Sequence, residues 1–139
     1  MKRRSFIVRC IWAACLILAG LNHARILLQH GLFWDYDGSN PVSSAYWTGL
    51  TIIDPLVAAL LFVRPRIGVP ATVVVIATNV VHNLAVSAGF VPYGEYFAYV
   101  TSSPQMMSQI GFLLFVIVTW QMAREDVGRV AVLPAGQPG

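Results

Sequence analysis

Charge is what this chain has least of. Nine Lys and Arg with six Asp and Glu make up only 11% of its 139 residues, against roughly 25% in an ordinary soluble domain. A small protein has much surface for its volume and needs polar side chains to cover it in water. With 57% hydrophobic residues and a mean hydropathy of +0.67, a soluble enzyme, a nucleic-acid binder and a disordered chain are all disfavoured. The length suits a single domain. Cysteine is scarce as well. Cys10 and Cys15 would stand about 140° apart on a helix, which fits neither CxxC redox chemistry nor a zinc knuckle; they read as small wall residues. Walker, GxGxxG, HExxH and GxSxG motifs are missing too.

What is present is long apolar runs. Four of them, at about 7–32, 45–63, 67–90 and 105–122, approach or exceed the roughly 20 helical residues that cross a hydrocarbon core. They lack the period-two alternation of membrane strands, and a helix satisfies its own backbone in lipid. The expected fold is therefore all-α, a polytopic four-helix membrane bundle over residues 1–124. A short cytoplasmic tail, 125–139, ends in Pro and Gly and is expected to be partly disordered. Arg64, Pro65 and Arg66 leave room only for a tight hairpin between the second and third spans, which makes them antiparallel neighbours.

The few basic residues give the orientation. Lys2, Arg3, Arg4 and Arg9 precede the first span, Arg64 and Arg66 follow the second, and Arg124 and Arg129 follow the fourth. The loops at 34–41 and 91–104 contain no Lys or Arg. The positive-inside rule then places both termini in the cytoplasm of a multi-pass protein of a bacterial-type inner or plasma membrane. Trp34, Tyr36, Tyr46 and Trp47 form an outer aromatic belt, with Trp120 on the inner side. Lys2-Arg3-Arg4 before an apolar run also has the form of a secretory leader, with Ala24 as its cleavage site. Arg9 interrupts that core and Asn22 suits the minus-three position poorly, so a retained first span is expected.

Against this apolar background a set of polar residues stands out, because each one buried in a membrane is costly. The first span carries Asn22, His23, Arg25, Gln29 and His30. The second carries Asp54 near its middle, followed by Pro55. The third carries Asn79, His82 and Asn83, and the fourth Gln105, Ser108 and Gln109. In the expected orientation all lie between the midplane and the outer leaflet, while the inner half looks almost wholly apolar. Asn22, Arg25 and Gln29 fall at i, i+3 and i+7; Asn79, His82 and Asn83 at i, i+3 and i+4; Trp47, Thr51, Asp54 and Ala58 share a stripe. Pro55 removes a backbone donor and should bend its helix beside the central acid.

The expectation is a polar pocket opening outward that takes a lipophilic small-molecule substrate. A carboxylate and imidazoles in low dielectric can exchange protons near neutral pH. Asp54 would be the base and His82 or His23 the proton donor. Arg25, Asn22, Asn79, Asn83, Gln109 and Trp47 would bind substrate, with Arg25 or an amide facing developing oxygen charge. Isomerisation, cyclisation or epoxide opening are the reaction types this suits. No cofactor or metal is called for, and the partners are the substrate and membrane lipids, without nucleic acid. Each residue also has a purely structural reading: Asp54 paired with Arg25, the amides joining helices, Arg25 reaching outward along its stem. A proton-coupled or small-solute transporter, which four short helices would build as a homodimer, is the alternative. A haem protein with His23 and His82 as axial ligands and an accessory subunit of a membrane complex come after it.

Overall fold

The computed structural model describes residues 3–125. Those residues form α1 (Arg3–His30), α2 (Pro41–Val63), α3 (Pro65–Ala88), a 3₁₀ turn (Tyr93–Glu95), α4 (Tyr96–Ser102) and α5 (Pro104–Arg124). The expected tail beyond residue 125 lies outside the described residues. Among the described residues there is no strand, and α1, α2, α3 and α5 are each long and apolar enough to cross a membrane. At 1.5 Å per residue even the 21-residue α5 spans about 32 Å.

The helix starts follow from local chemistry. Pro41, Pro65 and Pro104 each stand in the first turn of a helix, where a missing N–H costs nothing and φ is already suitable. Asn40 caps α2 by accepting from the Ser43 N–H at 3.0 Å, and Ser103 caps α5 by accepting from the Met106 N–H at 3.3 Å, so both helix ends have part of their orphan donors satisfied. The segment expected to be a plain loop at 91–104 contains α4, anchored by the Tyr96 hydroxyl donating to the Leu84 carbonyl at 2.8 Å.

Packing runs α1 on α2, α2 on α3, α3 on α5, and α5 back on α1. A single residue, Arg64, separates α2 from α3. The two helices approach so closely there that a Cβ on Gly68 would lie 2.4 Å from the backbone of Leu60 and Leu61; only glycine allows the hairpin to close. Gly20 does a similar service for α1, where a Cβ would sit 3.0 Å from Pro55 Cδ. Helix α2 continues on both sides of Pro55, and α1 crosses it at that point.

The exterior is far more apolar than that of a water-soluble domain, and the hydrophobic core holds several polar side chains as well. Leu28, Phe33, Ile52 and Val118 are largely exposed, while Arg9, His23, Asp54, Asn79 and Asn83 are buried. Broad apolar exposure of this kind marks a surface made for something other than water.

One expectation about the interior is corrected. The half holding the α2–α3 hairpin is not wholly apolar, and Arg9 does not precede the first helix but lies inside it, 2% exposed. Its Nε and Nη2 donate to the Ala123 carbonyl at 2.9 and 2.7 Å, and the Ser5 hydroxyl donates to the same oxygen at 3.3 Å. Trp12 Nε1 donates to Thr119 Oγ1 at 3.0 Å, and that hydroxyl donates to the Phe115 carbonyl at 2.6 Å. A cation at the C-terminal turn of α5 meets orphan carbonyls and the negative end of the helix dipole. Among the described residues, Trp12, Leu61, Val69 and Val116 are buried around it and close this end.

Candidate functional site

Toward the other end the helices begin to line space. From Cys15 onward α1 faces α5 across a cavity of about 590 Å³. Asp54 on α2 and Asn79 on α3 form its floor with His23, and Gln105, Ser108 and Gln109 supply the α5 wall. Leu18, Asn22 and Ser108 on its rim are exposed, so the space opens sideways, between α1 and α5, at the middle of the helices. A second cavity, of about 360 Å³, lies above it under the loops, and His23 and Gln105 line both.

Asp54 is 3% exposed, yet its carboxylate makes no hydrogen bond or ion pair with any described residue. Tyr46 is within its electrostatic reach. His23, 8% exposed, shares the cavity and leaves Nδ1 without a partner. Thr51 Oγ1, the Tyr46 hydroxyl and His82 Nε2 are also buried and unpartnered. Native interiors rarely leave such groups unsatisfied, and a buried carboxylate without a partner is more costly than any of them. Five of these groups, on α1, α2 and α3, cluster in the half of the molecule that has the cavities. Among the described residues of the closed end, Ser5, Arg9, Trp12, Thr72 and Thr119 are all bonded.

The amides behave differently. Asn83 is a hub: its Oδ1 accepts from Trp47 Nε1 at 2.8 Å, while its Nδ2 donates to Gln109 Oε1 at 2.7 Å and to Asn79 Oδ1 at 3.2 Å. Four sequence-predicted residues on α2, α3 and α5 are thereby brought together. Asn79 and Gln109 face the larger cavity and Asn83 and Trp47 the smaller, so this network stands between the two.

Other predicted residues are separated. Arg25 is exposed and lines neither cavity. The stripe of Asn22, Arg25 and Gln29 is the outer face of α1; the inward face runs Ser5, Arg9, Trp12, Leu16, Gly20, His23. Asn22 still reaches the rim of the larger cavity. His82 lines neither cavity; its ring packs on Tyr46 at 4.5 Å and edge-on to Trp47 at 5.5 Å between centroids. A shared axial position for His23 and His82 therefore has no common chamber. Among the described residues no three His, Cys, Asp or Glu side chains gather as a metal site. Sequence reasoning missed Tyr46 as a neighbour of the acid, although it lies two turns before Asp54 on α2. It also missed Arg9, whose position within an apolar run was the available signal.

The chain matches no known protein family, no characterised protein and no solved structure. Its chemistry is read from this geometry alone.

Proposed function

We propose that the protein is a membrane-embedded acid–base enzyme acting on a lipophilic substrate, built as a four-helix bundle with both termini on the cytoplasmic side. The distribution of basic residues supports the orientation, and the closed ring of helix contacts supports the bundle. In that frame the cavity between α1 and α5 opens to the lipid acyl region, and an apolar molecule reaches it by lateral diffusion without entering water.

The observation that carries the reading is the unpaired Asp54 facing the same chamber as an unpaired His23. Asp54 takes a proton from one substrate atom and His23 gives one to another, with no net change in substrate composition for an isomerisation or cyclisation. Epoxide opening would add one water. Transfer of the proton from Asp54 back to His23 across the cavity resets the pair. Asn79 and Gln109, their carbonyl oxygens already committed to Asn83, retain amide hydrogens for an oxygen that gains charge. His82, named with His23 from sequence, serves on this reading as a packing residue against Tyr46. Transport is less well served, because among the described residues the buried polar groups around Arg9 are bonded to one another and to the end of α5.

The test compares lipid extracts from membranes containing the wild type or Asp54→Asn by mass spectrometry. A substrate that accumulates in the variant, and a product of equal mass or heavier by one water that disappears, is the expected result. Identical extracts, with solute uptake into proteoliposomes abolished by Asp54→Asn, would overturn the enzyme reading in favour of transport.

A further inference from the structure

The smaller cavity has a chemistry of its own. Trp34, Tyr36 and Trp47 come from one side of it and Phe90 and Tyr99 from the segment after α3, with Asp37 as its carboxylate. No Lys or Arg lines it. The surrounding loops, 31–40 and 89–103, add Asp35 and Glu95 and again no basic residue. The rings are held in place. Trp34 is sandwiched between His30 at 3.9 Å and Tyr36 at 4.5 Å, Tyr36 leans on Trp47 at 5.0 Å, and Phe90 meets Tyr99 edge to face at 5.8 Å.

The loop that presents Tyr36 and Asp37 is built at a conformational cost. Both adopt left-handed backbone, φ 54° and 59°, unusual for any residue with a Cβ and most so for a bulky ring. Bonds from Ser39 N–H to the Asp35 carbonyl at 2.9 Å and from Ser44 Oγ to the same oxygen at 3.2 Å hold that turn. Strain retained by surrounding bonds is typical of ligand-binding segments.

We propose that this cavity binds an organic cation of the quaternary-ammonium type, its charge facing Asp37 and its alkyl groups against the aromatic walls. Ring quadrupoles attract such cations, so they suit a chamber walled by rings that holds a carboxylate and no basic Lys or Arg. The charge can belong to a choline lipid headgroup or to a free ammonium compound. Asp37 and the rings hold the cation and need neither Asp54 nor His23, although His23 lines this cavity as well.

The probe is choline, with neutral 3,3-dimethylbutanol as its isostere, titrated against the protein in maltoside detergent and followed by tryptophan fluorescence. Trp34 and Trp47 line the site, whereas Trp12 and Trp120 lie toward the opposite end. A saturable response to choline, at least tenfold weaker for the isostere, is expected. Asp37→Asn keeps the turn, because Asn tolerates left-handed backbone, and should weaken choline binding at least threefold. Asp35→Asn should leave it unchanged. Repeating the titration in phosphatidylcholine and phosphatidylglycerol nanodiscs distinguishes the sources: loss of the response only in phosphatidylcholine identifies the lipid headgroup, and equal responses identify a free ammonium ligand. No saturable response in detergent, equal binding of the isostere, or equal weakening by Asp35→Asn overturns the proposal.

Discussion

The two ends of the molecule treat polar groups in opposite ways. At the hairpin end, Ser5, Arg9, Trp12 and Thr119 are buried and all bonded, chiefly to the last turns of α5. At the loop end, Asp54, His23 Nδ1, Thr51 and the Tyr46 hydroxyl are buried and lack partners. Both arrangements take hydrophilic groups out of water. In the first the cost is offset by hydrogen bonds, one set of them charge-assisted. In the second no hydrogen bond among the described residues offsets it, and Asp54 and His23 face a cavity instead. Burial of a polar residue therefore says little by itself; what differs between the two ends is whether the group is satisfied.

That contrast can be broken by substitution. The largest effect is expected from Asp54→Asn on conversion: on the proposed enzyme reading, removal of a general base lowers turnover by about 10²–10⁴-fold, while the melting temperature in detergent stays level or rises. A fall in stability with turnover intact would make Asp54 a structural residue like those of the closed end. Arg9→Ala should do the reverse. It strips the charge-assisted bonds from the Ala123 carbonyl and costs about 3 kcal/mol, read as a lower unfolding midpoint, with residual turnover per folded molecule retained.

Smaller effects sharpen the boundary between the ends. Asn83→Leu leaves Trp47, Asn79 and Gln109 without their common partner and should cost about 2 kcal/mol in chemical denaturation. It should also perturb substrate conversion, because the network borders both cavities. Trp12→Phe deletes one hydrogen bond to Thr119 and keeps most of the ring packing, so a loss of about 1 kcal/mol is expected with turnover unchanged. Arg25→Gln should change stability by no more than about 0.5 kcal/mol and leave turnover alone; a marked loss of turnover would restore Arg25 to the site.

Much of this was legible in the residue order, and the misses share a cause. Span number and the hairpin at Arg64 follow from run length and proline placement. Asp54, His23, Asn79, Asn83 and Gln109 stood out because polar side chains are rare in these runs. The inward face of α1 was misjudged. Asn22, Arg25 and Gln29 make a more regular polar stripe than the residues that turn inward, yet Gly20 is the position where α1 can lie against Pro55. Seating Gly20 there rotates His23 inward and Arg25 outward. Arg9 was taken for an orientation signal because its partner, the Ala123 carbonyl, lies 114 residues away. His82 was grouped with its neighbours by spacing, and its ring instead packs against Tyr46.

Sequence alone determined that the chain is helical, apolar and crossed by a few expensive polar groups, since hydropathy, period and proline position act within a few turns. Tertiary structure alone decided which of those groups are answered by a partner and which face a cavity. Whether a buried donor or acceptor is satisfied depends on how neighbouring helices rotate and how closely they approach. Here glycine contacts and the bonds to the end of α5 set that rotation, and neither is visible until the four helices are packed together.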